Sequence, residues 1–405
     1  MYIALHLCYN ARMEYDFDTL ADRRNSFSLK WSVAQNVLPM WVADMDFATA
    51  PEIRAAIESR AAHGIFGYSV VPDEWYRAVS GWWRARHRLE IPADRLAFCT
   101  GVVPALSSAV RKLTTPAEQV AILTPVYNIF FNSILNNGRR VLEVPLRYDA
   151  GLRSYSIDFD GLEAALSQPQ TTLLIFCNPH NPVGRIWSAE ELAHVGDLCA
   201  RHGVTVVSDE IHCDLCDPGA EYVPFSAASR TCRDVSLTAV APTKTFNLAG
   251  LQTAAVFSHN EFLFNKINRA INTDEVAEPN AFAVTAAVAA FTEGAPWLDA
   301  LRAYLLGNKQ LAARFLAERL PQVHLVPSQA TYLLWLDCHD LLSGGMTSRQ
   351  LAARIRARTG LYLSEGGQYG AAGEGFLRMN IATSRANVQE GLRRLEKALQ
   401  VLREE

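Results

Sequence analysis

Lysine is scarce in this chain. It accounts for 6 of the 38 basic residues, at positions 30, 112, 244, 266, 309 and 397, and arginine supplies the rest. Nor is there a basic excess: 42 acidic residues leave a net charge of −4 at pH 7. Neither a nucleic-acid partner nor an anionic membrane surface is expected of such a balance. No apolar run reaches the ~18 residues of a spanning helix, so no membrane partner is expected. Among eight cysteines only Cys213-Asp-Leu-Cys216, preceded by His212, has metal-like spacing. A structural zinc needs a second such pair, and none follows, so no metal is expected. Residues 1–10 are apolar but lack the basic flank and small-residue cleavage site of a secretory signal. Reduced, mostly buried thiols in a cytoplasmic chain are the corresponding expectation. Residues 1–12 read as an upstream extension, poorly ordered.

What is present is ample core material. The 405 residues are 49% hydrophobic and 20% charged, enough for about two to four domains. Short apolar runs at 97–100, 120–124, Thr171–Cys177, 204–208, 235–240 and 253–257 read as strands, with amphipathic stretches between several of them. Ser188-Ala-Glu-Glu191 is a capping box, and the helix it opens closes at Gly203. Such alternation predicts an α/β fold with a mostly parallel sheet covered on both faces. After about residue 278 long Ala/Leu-rich helices (279–291, 296–319) give way to strands at 332–337, 361–364 and 376–381 and helices at 347–359 and 386–402. The expected organisation is an N-terminal segment (13–50) packing with a small domain, a large domain (51–285) and a small α+β domain (286–405). Gly366, Gly367 and the glycines at 370–375 suggest a mobile stretch near the site entrance.

Ligands of an open α/β sheet sit beyond the carboxyl ends of its strands. The residues there are Gly101-Val102-Val103, Tyr127, N-P-H-N-P-V-G (178–184), Asp209-Glu-Ile-His212 and Thr243-Lys244. Lys244 is the sole charge in 235–251, and a desolvated amine is a better nucleophile toward a carbonyl. A Schiff-base lysine needs an aldehyde, which pyridoxal 5′-phosphate supplies together with an electron-accepting ring. Such a cofactor requires a carboxylate for its ring nitrogen (Asp209), an amide donor for its phenolic oxygen (Asn181) and an aromatic for its face (Tyr127). Its phosphate requires backbone amides at a helix start, here Val102 and Val103. Each feature alone has an ordinary reading: a tyrosine packs, Asn-Pro turns, a histidine such as His212 satisfies a core. Their joint order is the signal.

The motifs N-P-H-N-P-V-G (178–184), S-D-E-I-H (208–212), A-P-T-K-T-F-N-L-A-G-L (241–251) and F-L-R-M-N (376–380) resemble fold-type I pyridoxal-phosphate enzymes of the aminotransferase superfamily. P-M-W-V-A-D-M-D-F (39–47), H-G-I-F-G-Y (63–68), G-A-P-W-L (294–298) and D-R-R-N-S-F-S-L-K-W (22–31) resemble its MalY/PatB branch of cystathionine β-lyases, or C–S lyases. The resemblance implies a seven-stranded large domain and a homodimer. It makes Lys244 the cofactor-bearing, catalytic residue, with Tyr127 stacked on the ring, Asp209 on the pyridinium, Asn181 on the phenolic oxygen, and His212 and Thr243 beside them. Arg378 would clamp the substrate carboxylate with Asn181 nearby, and Tyr68 would reach the phosphate of the neighbouring subunit. Aspartate-aminotransferase-like members carry an arginine eight residues after the lysine; Gln252 stands there, which fits the lyase branch. The implied reaction is α,β-elimination of cystathionine or a cysteine S-conjugate. Transamination or decarboxylative deamination on the same scaffold is the second reading, and a regulatory cofactor-binding protein without turnover the third.

Overall fold

The computed structural model describes residues 15–404; the extension expected over 1–12 lies outside them. Its centre is a seven-stranded sheet of β1 (Leu96–Cys99), β2 (Gln119–Thr124), β3 (Arg140–Pro145), β4 (Thr171–Cys177), β5 (Thr205–Asp209), β6 (Ser236–Val240) and β7 (Ala254–Phe257), in the order β1-β7-β6-β5-β4-β2-β3. Neighbours run parallel except β7, which is antiparallel to both β1 and β6.

Continuous apolar runs form these strands because both faces are covered. In β4, Leu173, Ile175 and Cys177 enter one core, with α1 (Val102–Leu113) and α3 (Glu261–Thr273). Leu174 and Phe176 enter the other, with α2 (Ala189–Arg201). The capping box forms as the sequence predicts: the Ser188 hydroxyl accepts from the Glu191 amide while the Glu191 carboxylate takes the Ser188 amide. Gly203, at φ 68°, ends the helix in the left-handed region. The strand absent from the sequence reading is β3. It lies at the sheet edge with Arg140, Glu143 and Pro145 exposed, so charge interrupts its apolar run, whereas the one charge in the inner strands is Asp209 at the end of β5.

Beyond the helix Ala283–Glu293 and α4 (Ala295–Arg319), a second sheet is antiparallel, in the order β8 (His324–Leu325), β9 (Leu333–Asp337), β11 (Phe376–Asn380), β10 (Ser364–Glu365). Helices α5 (Ser348–Thr359) and α6 (Arg385–Glu404) complete this part. Strand period two divides β11. Leu377 joins the apolar core with Met379, Val388 and Leu392, whereas Arg378 and Asn380 reach back to carbonyls of residues 41–44. Leu38–Pro39 pair in parallel with Leu361–Tyr362. The early segment is thereby laid across the ends of the large sheet and beside β11.

The glycine-rich stretch is a correction. It forms two tight 3₁₀ turns, Gly366–Tyr369 and Ala371–Gly373, packed against each other. A Cβ on Gly366 would collide with the carbonyl oxygens of Gly373 and Phe376. These glycines serve close backbone packing rather than freedom of movement.

Candidate active site

Hollows elsewhere on the surface are larger, but one cavity alone among the described residues joins an amine, a carboxylate, an amide and open helix amides. Val102, Val103, Tyr127, Asn181, Asp209, His212, Thr243 and Lys244 line it, with Gly101, Cys177 and Gln252. Eight of the ten residues singled out in the sequence therefore meet here. Arg378 borders it, donating from Nη1 to Asn181 Oδ1 at 3.3 Å. Tyr68 does not: it is fully exposed on the surface with Ile65, Phe66 and Val70.

The strand ends explain this convergence. Helix α1 starts after Gly101 with no side-chain cap, so the first amides, Val102 and Val103, are unpaired donors at the positive end of a helix. The 178–184 loop is pinned by the His180 ring on the Pro125 carbonyl (2.9 Å), by Asn178 Nδ2 on the Val223 carbonyl (2.9 Å) and by the Gly184 amide on the His180 carbonyl. That leaves Asn181 facing inward. Because its Oδ1 accepts from Arg378, its Nδ2 is the side that can donate into the cavity.

Electrostatics follow burial. Among the described residues Asp209 has one stabilising hydrogen bond, from the Ile211 amide at 3.1 Å, and burial raises its carboxyl from 3.8 to about 7. Such a displacement is worth about 4 kcal/mol, a deficit that a buried cationic N–H at hydrogen-bond distance relieves. Lys244 is pushed by burial down to about 8, with Asp44 and Asp209 opposing that displacement and Arg378 adding to it. With that midpoint about a tenth of this amine is neutral at pH 7, a share that grows as the pH rises toward 8. His212 is held down to about 3 by burial, Lys244 and Arg378, so it is neutral; its Nδ1 is buried without a partner.

Arg378 donates from Nη2 to the Trp41 carbonyl at 2.9 Å and lies 4.8 Å from the centre of the Tyr369 ring. Its Nε is buried and unpartnered. The guanidinium is thus oriented by two partners and still has a donor to give.

Several site residues escape the sequence reading. The Ala43 carbonyl accepts from Lys244 Nζ at 2.5 Å and from the Tyr332 hydroxyl at 3.1 Å, and Tyr332 meets the His212 ring edge-on. A backbone acceptor has no residue-type signature. Tyr332 precedes a buried strand and reads as core. Its one sequence cue is a polar-capable aromatic at a strand start, as Tyr127 is at a strand end.

The Cys213 spacing has a different outcome from the one weighed in the sequence. Cys213 lies with His87 and Asp214, all three ligand atoms within 4.8 Å, and His212 is turned away into the cavity. Asp214 already accepts from Trp82 Nε1 (3.0 Å) and Thr245 Oγ1 (3.3 Å) and pairs with His87 Nε2 (2.8 Å). Burial pushes the Cys213 thiol up. The group reads as a satisfied polar cluster behind the active site.

Comparison with known proteins agrees with this geometry. The model of the family "aminotransferase class I and II" matches residues 35–395. Cystathionine β-lyase PatB of Bacillus subtilis is 42% identical over 95% of this chain and 100% of its own length. Protein MalY of Escherichia coli is 33% identical, over 96% and 100%. The crystal structure of cystalysin from Treponema denticola, which contains a pyridoxal 5′-phosphate cofactor, superposes with a TM-score of 0.91 at 32% identity, covering 96% of this chain and all of that one. Matched along nearly its whole described length, the chain belongs to the class I and II aminotransferase family, on its MalY/PatB branch.

Proposed function

We propose that the chain is a pyridoxal-phosphate-dependent carbon–sulfur β-lyase that splits cystathionine or a cysteine S-conjugate into a thiol, pyruvate and ammonia. The observation that carries this reading is Lys244, a buried amine beside a buried carboxylate, in a relative of proteins named as cystathionine β-lyases. The cavity fits the cofactor on its own chemistry. Among the described residues Asp209 has no ion-pair partner within 4 Å, α1 has no side-chain N-cap, Asn181 has a free amide donor and His212 a free ring nitrogen. Once bound, pyridoxal phosphate supplies an aldehyde for an amine and a ring that accepts electrons from Cα.

The chain does the rest. Val102 and Val103 amides and the Thr243 hydroxyl would hold the phosphate, Asp209 the ring nitrogen and Asn181 the phenolic oxygen, with Tyr127 and His212 packing against the ring. Arg378, with Asn181, takes the substrate carboxylate and fixes which Cα bond stands across the ring. Lys244 would act as the general base that takes the Cα proton, a role suited to an amine that burial pushes down to about 8. Sulfur then leaves Cβ as a thiolate that picks up a proton, and water completes release of pyruvate and ammonia. In this reading residues 51–285 form the cofactor domain and 286–405 a smaller domain joined by 13–50. The enzyme is a cytoplasmic homodimer in which Tyr68 of one copy completes the phosphate site of the other. Exposure of Ile65, Phe66, Tyr68 and Val70 together supports that contact.

Incubation of the pyridoxal-phosphate-loaded protein with L-cystathionine tests the reaction. Pyruvate and free thiol should appear in equal amounts without any keto acid. Amino transfer that depends on an added keto acid, with no thiol released, would replace elimination by transamination. Gln252 at the arginine position of aspartate-aminotransferase-like enzymes, in the cavity wall, favours the first outcome.

A further inference from the structure

Residues 41–46 bring more to the active site than their sequence announces. Their carbonyls take Arg378 (Trp41), Asn380 (Val42 and Asp44, each 2.6 Å), Asn247 (Met45, 3.0 Å) and both Lys244 and Tyr332 (Ala43). On the side away from the cavity the segment is staked by charge. Arg23 grips Asp44 with both terminal nitrogens, at 2.8 and 3.2 Å, and also reaches Asp46 at 2.9 Å. Lys30, 1% exposed, lies 3.0 Å from Asp46, 3.9 Å from the Asp44 carboxylate and 3.4 Å from the Asp44 carbonyl. Two buried or half-buried cations on two aspartates are a costly arrangement unless their geometry is kept, and nothing in the roles assigned above uses it.

We propose that Asp44 is a positioning residue for Lys244: clamped between Arg23 and Lys30, it fixes the Ala43 carbonyl on the Lys244 amine and sets the charge that the amine feels. It is the next residue after the carbonyl that receives Nζ, so a rigid Asp44 means a rigid acceptor. Its carboxylate opposes the burial that otherwise favours the neutral amine. The other groups facing Lys244 are Asp209, which acts in the same direction, and Arg378, which acts against it. His212 is neutral, and the Tyr127 and Tyr332 phenols, both pushed up by burial, are uncharged. Asp44 is the member of this set whose strength is itself adjustable, because Arg23 and Lys30 partly cancel it.

The proposal rests on Lys244 being the reactive amine, and its test is made without turnover. Apoprotein is labelled with trace acetic anhydride over the neutral-to-alkaline range, and the Lys244 peptide is quantified by mass spectrometry against the five other lysines. Asp44→Asn keeps the shape and removes the charge, so the Lys244 midpoint should fall by about half a pH unit or more. Arg23→Met unmasks Asp44 and should move it up by a similar amount. A residue that merely stabilised the fold would move both variants the same way or neither. Midpoints that stay put, or that move together, overturn the proposal. Should Arg23→Met fail to fold, Asp44→Glu decides: it should restore the wild-type midpoint, and a midpoint matching that of Asp44→Asn overturns the role. Addition of pyridoxal phosphate to the wild type keeps the two readings apart. No visible band means that Lys244 is not the cofactor lysine, whereas a band with unmoved midpoints removes only the role of Asp44.

Discussion

Lys244→Ala should abolish the visible absorption band of the purified holoenzyme and lower thioether cleavage by about 10⁴-fold or more, with no loss of thermal stability. The two halves of that expectation come from the same geometry. Lys244 lies just beyond β6 with its amine in the cavity, where its hydrogen-bond partner among the described residues is the Ala43 carbonyl. Burial depresses its proton affinity, which is a cost to the fold and a gain to the chemistry. Removing the side chain relieves that cost and leaves Val102, Val103, Asn181 and Asp209 in place. The variant should still take up the cofactor without a covalent link, and its unfolding temperature should stay level or rise. A fall of several degrees with residual activity near wild type would make Lys244 a structural lysine.

Arg378→Lys should raise KM for the amino acid and lower kcat/KM by about 30- to 150-fold, while leaving the cofactor band intact. Charge alone does not hold a carboxylate in one orientation; the planar fork does. In this site two terminal nitrogens of Arg378 are already committed, to Asn181 Oδ1 and the Trp41 carbonyl, and the buried Nε is free. A lysine keeps one positive centre but cannot reach both anchors and the substrate. The loss equals one or two charge-assisted hydrogen bonds, about 2–3 kcal/mol. Because Arg378 also orients Asn181, part of the loss should appear in kcat through misplacement of the phenolic-oxygen donor. Steady-state rates with L-cystathionine separate the two contributions, and an unchanged kcat/KM would remove Arg378 from the carboxylate role.

Much of this arrangement is legible in the sequence itself. Six of the seven strands read clearly because a sheet buried on both faces leaves a mostly apolar run; the ends of β2, β4, β5 and β6 display side chains with distinct chemistry, and that of β1 open helix amides. Strand β3 was invisible because an edge strand mixes charge with apolar residues. The Ala43 carbonyl was invisible for a different reason: every residue has that acceptor, and only the path of the 41–46 segment brings this one to Lys244. The clamp of Arg23 and Lys30 on Asp44 and Asp46 lay in motifs that resemble the branch, yet the pairing needs chain reversal between residues 30 and 44, which spacing does not encode. The glycines at 366–375 looked like freedom because their composition is the same whether a loop moves or two turns touch.

The most direct test of the whole account is to find which amine carries the cofactor. Holoenzyme treated with sodium borohydride fixes the phosphopyridoxyl group to that amine, and digestion with mass spectrometry then locates it among six lysines. The account predicts the added mass on the Lys244 peptide alone, lost in Lys244→Ala. Label on any other lysine, or none in protein that has bound pyridoxal phosphate, would contradict it.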